Sequence, residues 1–312
     1  RSALGSNTTA SNNTAVGYQA GYSNTTGAEN QAFGHTSLYL NTTGNYNNAF
    51  GRGALYNNTT GSNNVAVGTQ ALVLNTTASN NTAVGYQAGY SNTNSSYVTA
   101  VGYRAAFSHT AGGLAAFGYE ALNSNTTGGN NSAFGRYRPL YSNTTGSYNS
   151  AFGKQAMMDN TTGSNNTAFG DLALQSNTTA SNNTAVGYQA GYSNTTGANI
   201  SAFGFWALKT HTTGSQNTAF GNYALGGVTT GVYNTGVGYL AIGNATNTAS
   251  YNTAFGGLAL QSVTSGDSNV AMGYQSGYGV TTGAQNTSIG HQSFVSNTTG
   301  SYNVSLGYGS LY

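Results

Sequence analysis

A 17-residue repeat constrains the fold of this chain more than any other feature of its sequence. The segment NNTAVGYQAGYSNTTG occupies residues 12–27 and recurs, letter for letter, at residues 182–197. Eighteen related copies align on a glycine that follows a small and an apolar residue: Gly17, Gly34, Gly51, Gly68, Gly85, Gly102, Gly118, Gly135, Gly153, Gly170, Gly187, Gly204, Gly221, Gly238, Gly256, Gly273, Gly290 and Gly307. Successive glycines are 17 residues apart, except for one gap of 16 and two of 18. Because nothing in a random coil limits insertions, this spacing predicts a folded stack of repeats.

The consensus of the repeat, SNNTAFGYQALYSNTTG, indicates β-structure. We number each repeat from its aligned glycine: Ala is usual at −2, an apolar residue is invariable at −1, Leu is usual at +4, and NTTG fills +7 to +10. Gly, Thr, Asn and β-branched residues form helices poorly, and helical repeats run to about 33 residues or more. Within NTTG, Asn first and Gly fourth are the preferences of a type I β-turn.

The sequence therefore predicts an all-β fold, a β-solenoid (β-roll or β-helix) of about eighteen 17-residue coils with one repeat per coil. We expect residues 1–312 to form a single repetitive domain. One coil buries too few apolar side chains to offset the entropy of ordering it, so stability must come from stacking. Both termini fall inside a repeat, with RSAL at residues 1–4 and SLY at the other end, so we expect a segment of a longer fibre.

Position −4 predicts a buried row of asparagines. It is Asn in fifteen copies, and the three exceptions are aliphatic: Val98, Leu114 and Ile200. A solvent-facing position would drift to other polar residues instead. We therefore expect the −4 side chains to point inward and to form a stacked amide ladder, in which each amide satisfies the next. The first members of this ladder are Asn13, Asn30, Asn47, Asn64 and Asn81.

Two apolar positions, −2 and −1, are adjacent in every repeat, and neighbouring strand residues point to opposite faces. We expect the Val or Phe at −1 to fill the coil together with the Leu at +4. The alanine at −2 would then meet a second surface, because a strand that is apolar on both faces is usually covered on both. This interpretation predicts self-association, most simply as a trimer. The alternative is that the alanines occupy a half-exposed corner.

Positions +1, +2 and +5 vary most and hold most of the charged residues and many aromatics, so we expect them to face solvent. Tyrosine provides a stiff, amphipathic contact area that suits glycans or protein partners. An alternative is that the rings stack only on one another. The candidate surface contact stripe consists of Tyr18, Tyr22, Tyr39, Tyr56, Tyr86, Tyr90, Tyr103 and Trp206.

Composition argues against several classes of function. Only 4% of residues are charged and the net charge is +2, with the basic residues spread singly, so we expect no nucleic-acid partner. The chain has no Cys, which excludes disulfides and thiolate chemistry. No apolar run approaches the ~18 residues of a membrane span, so we expect no membrane insertion.

The residues of catalytic and metal sites are also sparse. The five acidic residues do not pair at spacings suited to acid–base catalysis. His109 and His211 replace the Asn of NTTG six repeats apart, and we interpret them as turn residues instead of metal ligands. We expect neither an enzyme nor a cofactor. Many triplets match the N-x-[ST] pattern of N-glycosylation, but repeated turn chemistry produces most of these matches automatically.

The segment NTAVG, with Ala or Ser three residues later, resembles the SVAIG-type head repeats of trimeric autotransporter adhesins. The longer segment NTAVGYQA is similar to segments of phage tail-fibre proteins. The resemblance covers the whole chain through a short, degenerate motif, and the adhesin heads use a shorter repeat. It implies a trimeric β-roll, extracellular or on a cell or virion surface, that extends and adheres to surface glycans or host-cell receptors.

We therefore expect a structural fibre protein without catalysis, a shaft or head that extends and adheres. The alternative is an extracellular surface or matrix filament that assembles end to end and carries glycans. A discrete particle mass would favour the first expectation, and continued growth into filaments would favour the second.

Overall fold

The computed structural model describes residues 2–243 and 246–311, and its internal contacts divide the chain into two units, Arg1–Gln155 and Ala156–Tyr312. Both units are β-solenoids, and the described residues contain no helix. Each coil has about 17 residues and contributes one short strand, which ends immediately before the aligned glycine except in two coils, where the strand continues through Gly118 and Gly135. The predicted fold class, an all-β solenoid with one repeat per coil, is confirmed.

The first unit contains nine strands. They are β1 (Thr14–Val16), β2 (Gln31–Phe33), β3 (Asn48–Phe50), β4 (Val65–Val67), β5 (Thr82–Val84), β6 (Val98–Val101), β7 (Leu114–Tyr119), β8 (Asn131–Tyr137) and β9 (Ser150–Phe152). Each strand of this unit pairs in parallel with its sequence neighbour. The register joins equivalent positions, so that Ala49 lies opposite Ala66.

The second unit has the same architecture. Its strands are β10 (Thr167–Phe169), β11 (Thr184–Val186), β12 (Ser201–Phe203), β13 (Thr218–Phe220), β14 (Thr235–Val237), β15 (Thr253–Phe255), β16 (Val270–Met272), β17 (Thr287–Ile289) and β18 (Val304–Leu306). Pairing is again parallel and between equivalent positions, as for Ala202 and Ala219.

The core of each coil is built from alanine and leucine. Ala49, Ala54 and Leu55, at −2, +3 and +4, are fully buried, whereas Phe50 at −1 is 38% exposed. The expectation that the Val or Phe column fills the coil, and that the alanines meet a second surface, is therefore wrong. The alanine at −2 faces the interior of the coil, and the large apolar residue at −1 faces outward.

The narrowness of the coil explains this inversion. At Gly236, where a glycine replaces the usual alanine, a Cβ atom would lie 3.1 Å from Cγ of Leu225. The interior at −2 therefore accepts only small side chains, a methyl group in most coils and a hydroxymethyl group at Ser288 and Ser305. Because neighbouring strand residues point to opposite faces, burying Ala at −2 turns the large residue at −1 outward.

Backbone turns with positive φ close each coil. They fall at −5, +2 and +4, for example at Tyr46 (φ 58°) and Leu55 (φ 51°). The aligned glycine is required for a different reason. At Gly34 φ is 138°, and a Cβ there would lie 2.5 Å from the carbonyl oxygen of Gly51 in the next coil. Close backbone stacking therefore demands glycine at this position in every repeat.

Candidate interaction surfaces and the buried ladders

The outer face of each sheet carries a column of apolar side chains at −1, which we call the outer stripe. In the first unit it comprises Val16, Phe33, Phe50, Val67, Val84, Val101, Phe117, Phe134 and Phe152. In the second unit it comprises Phe169, Val186, Phe203, Phe220, Val237, Phe255, Met272, Ile289 and Leu306. All of these side chains are exposed or half-buried; Phe220, for example, is 59% exposed. Neighbouring rings stack, and the Phe117 and Phe134 centroids are 4.5 Å apart.

The asparagines at −4 lie inside the coils and are bonded to one another. Asn47 Nδ2 donates to Asn30 Oδ1 at 3.1 Å, and Asn64 Nδ2 donates to Asn47 Oδ1 at 3.1 Å. At the ends of this series, Asn13 Oδ1 accepts from the backbone N–H of Asn30, and Asn64 Oδ1 accepts from that of Asn81. The amides thus satisfy backbone groups as well as each other, so the polar atoms of the interior are paired.

A second buried amide ladder lies at +7, where the sequence predicted only a turn. Asn41 Nδ2 donates to Asn24 Oδ1, and Asn58 Nδ2 donates to Asn41 Oδ1, both at 2.8 Å. The backbone N–H of Gly27 bonds to Thr42 O of the next coil. The chain bends at NTTG, and its polar groups bond both within the turn, as Asn24 Nδ2 does to Gly27 O at 2.8 Å, and between coils. Position +7 is replaced by aliphatic residues at Val228, Val263 and Val280, the same signal that identified the ladder at −4.

Two histidines belong to this second ladder and are fully buried. His109 Nε2 bonds to the carbonyl oxygen of Gly112, and Asn125 Nδ2 lies 3.0 Å from His109 Nδ1. These partners assign the proton to Nε2 of a neutral ring. Burial lowers the pKa of His109, and the Gly112 carbonyl partly opposes that effect. The interpretation of His109 as a turn residue misses this internal role.

His211 is held as the opposite tautomer. Its Nδ1 lies 3.0 Å from Asn194 Oδ1, and its Nε2 lies 3.0 Å from Asn217 Nδ2. The ring therefore donates through Nδ1 and accepts at Nε2. Burial lowers the pKa of His211 to about 4, against a smaller opposing effect of the Gly214 carbonyl. Like His109, His211 contributes to the packing of the coil interior in its neutral form.

The predicted contact stripe divides into separate groups. Tyr18, Tyr86 and Tyr103 are exposed at +1, whereas Tyr22, Tyr39, Tyr56 and Tyr90 are half-buried at +5. Within these columns the rings stack; the Tyr22 and Tyr39 centroids are 5.5 Å apart, and those of Tyr86 and Tyr103 are 5.4 Å apart. Stacking of this kind gives each column short runs of aromatic surface, interrupted at +5 by Val73 and at +1 by Arg52 and Thr69.

Trp206 lies in the second unit, away from those tyrosines in sequence, and is surrounded by its own partners. Its ring stacks on Phe205 with centroids 4.8 Å apart and meets Tyr223 edge-on, also at 4.8 Å. Lys209 Nζ lies 3.4 Å from the ring centroid, a cation–π contact. Trp206 is therefore part of a local aromatic cluster instead of a stripe shared with the first unit.

An ion pair joins Arg138 and Glu120 in the first unit. Arg138 Nε donates to Glu120 Oε2 at 2.7 Å, and this bond raises the pKa of the Arg138 guanidinium. The guanidinium also lies over the rings of Tyr137 and Tyr141. These contacts occur in the repeat that contains Pro139 and one inserted residue. They stabilise the packing of this irregular coil against its neighbours.

Within residues 2–243 and 246–311, no three His, Asp or Glu side chains come together as metal ligands. No helix in the same residues is long and apolar enough to cross a membrane. Comparison with protein-family models finds no matching family, and comparison with curated proteins finds no similar sequence.

Proposed function

We propose that this chain is a structural protein of an extracellular fibre, and that copies of it associate laterally through the outer stripe. The observation that carries this proposal is a column of large apolar residues held on the solvent face of each sheet. An outward column of this kind could be polar without disturbing the core, because the coil interior is filled by alanine and leucine. Its apolar character therefore needs a partner surface.

The size of the outer stripe suits a protein interface. Nine side chains per unit, each partly exposed, present roughly 600 Å² in all. Standard interfaces bury about 800 Å² on each partner, and the neighbouring positions at −3 and +1 would supply the remainder. Neither −3 nor −1 holds a charged residue in any repeat, in keeping with the depletion of charge at interface centres.

A second copy of the same chain is the partner that this geometry favours. The stripe repeats at the spacing of the coils, and an identical stripe offers the same spacing along its whole length. The similarity of NTAVGYQA to segments of fibre proteins supports a trimer and a place outside the cell. No catalytic step forms part of the proposal.

Light scattering combined with electron microscopy of the purified chain tests the proposal. We expect a discrete mass of three chains and rod-like particles of constant width. Replacing Phe220 and Phe255 with Thr removes two residues of the outer stripe that are more than half exposed. This double variant should dissociate at concentrations where the parent chain remains associated.

Tyr302→Thr is the matched control, because Tyr302 is 81% exposed at position −5, on a different side of the coil. It should leave the mass unchanged. A monomeric parent chain would refute lateral association. Open-ended filaments that persist in the double variant would instead support end-to-end assembly.

A further inference from the structure

A cleft of about 550 Å³ opens on the second unit beside Trp206. Trp206, Lys209, Tyr223, Tyr239 and Leu240 provide its larger side chains. This volume is within the range of small-molecule sites, which run from about 300 to 1,000 Å³. The cleft lies within a single unit and does not include any residue of the outer stripe.

Missing side chains create the cleft. Position +5 is Tyr192 and Tyr278 in two other repeats of this unit, but Gly226 and Gly243 occupy it in two successive repeats. Gly227 also leaves position +6 without a side chain, where the preceding repeat has Thr210. These adjacent departures from the repeat pattern open the surface at this place.

The chemistry of the lining is selective. It combines aromatic rings with threonine hydroxyls and one cation, Lys209, and it contains no carboxylate. The Trp206 Nε1–H is buried and has no acceptor among the described residues. A buried donor without a partner costs about 1–3 kcal/mol, so this indole is held in the cleft wall at a cost in stability.

We propose that this cleft binds a carboxylate-bearing sugar, such as a hexuronic acid within a glycan chain. The rings of Tyr223 and Tyr239 offer amphipathic surfaces against which the apolar face of a pyranose packs. Sugar hydroxyls donate to the Oγ1 atoms of Thr210 and Thr229, whose own protons already bond to Gly226 O and Asn247 O. The carboxylate pairs with the Lys209 ammonium through a charge-assisted hydrogen bond. The site is independent of lateral association, since it uses none of the outer stripe.

The chain contains a single Trp, so its fluorescence reports directly on the cleft. Titration with D-glucuronate should change the Trp206 emission saturably, and D-glucose should bind about tenfold more weakly. In Lys209→Gln the affinity for glucuronate should fall about tenfold, to the level of glucose. Gly227→Thr, which restores the side chain found at Thr210, should abolish the response to both sugars. Saturation-transfer NMR with the same sugars gives an independent measurement of binding.

Arg52→Gln is the matched control, because it removes an exposed cation in the other unit and should leave glucuronate binding unchanged. Circular dichroism verifies that each variant keeps the fold of the parent. Three results would overturn the proposal: no binding of glucuronate, equal binding of glucuronate and glucose, or unchanged binding in Gly227→Thr. None of these results depends on the mass of the particle, so the site and the lateral association are tested separately.

Discussion

Lowering the pH should destabilise the second unit through one residue, His211. The pKa of this buried imidazole falls from its ordinary 6.5 to about 4 in the folded chain. Protons therefore bind the unfolded state more tightly than the folded state. The contribution of neutral His211 to the free energy of unfolding is fully present above pH 6.5 and is lost as the pH drops toward 4. At about 1.4 kcal/mol for each pKa unit, the loss at pH 4 amounts to about 3 kcal/mol. The geometry agrees, because protonation would place an N–H at Nε2 against the amide Asn217 Nδ2.

Replacing His211 with Asn restores the residue that position +7 has in most repeats. Urea unfolding followed by the fluorescence of nearby Trp206 measures the stability of this region at pH 7 and at pH 4. We expect the parent to lose about 3 kcal/mol more than His211→Asn between these two values. His291→Asn, an exposed histidine in the same unit, is the control and should behave like the parent. Equal losses in the parent and in His211→Asn would refute the reasoning.

Four further predictions concern the coils. Asn58→Ala breaks the second ladder and leaves Asn41 Oδ1 without its donor, so the free energy of unfolding in urea should fall by about 2–3 kcal/mol. Gly34→Ala forces a Cβ against the next backbone, and its thermal unfolding should show a loss above about 2 kcal/mol; an unchanged melting temperature would contradict the stacking geometry. Ala66→Leu should lower the free energy of unfolding by about 1–3 kcal/mol in the same assay, whereas Val67→Thr, at an exposed position, should lower it by less than about 1 kcal/mol. A larger loss in Val67→Thr than in Ala66→Leu would mean that position −1, and not position −2, faces the interior of the coil. In a host that attaches N-linked glycans, peptide mass spectrometry should find none on the buried Asn of NTTG. They should occur only on exposed acceptors, which are Asn7 and Asn94 and, at −5, Asn12, Asn80, Asn130, Asn165, Asn182 and Asn199.

The fold could be predicted from the sequence because the repeat length is nearly constant. The buried asparagine ladder could be predicted because the residues that replace Asn at −4 are all aliphatic. Position −4 changes only to aliphatic residues such as Val98, which shows that the position is buried whatever its polarity. The same argument applies to position +7, where Val228 replaces Asn. The NTTG motif obscured that ladder, since its residues also satisfy the preferences of a β-turn.

The orientation of the strand was not predicted, because two adjacent apolar columns do not indicate which one faces inward. The variation in side-chain volume within each column does. Position −2 admits only Ala, Gly and Ser, whereas position −1 ranges from Val to Phe. A narrow coil interior accepts only small side chains on the strand, so the column restricted to Ala, Gly and Ser faces inward and the column of larger residues faces outward.

The cleft beside Trp206 was only partly accessible to sequence analysis. Trp206 stood out as a unique residue, but its partners are set by coil stacking. Lys209 and Tyr223 meet it from its own repeat and from the next one. The glycines at 226 and 227 looked like ordinary turn residues, because glycine is frequent throughout the chain. Their effect appears only when the neighbouring coils are stacked on either side.

The alanine-rich interior has a consequence for how stability depends on temperature. Unfolding such a coil exposes small methyl groups and single leucines together with two buried amides, and apolar and polar surface change the heat capacity in opposite directions. The two contributions offset each other more closely than in a domain with a large hydrocarbon core. The heat-capacity change per residue should therefore fall below the usual ~12–15 cal/mol/K. A flatter stability curve follows, so these coils should lose little stability on cooling and should resist cold denaturation.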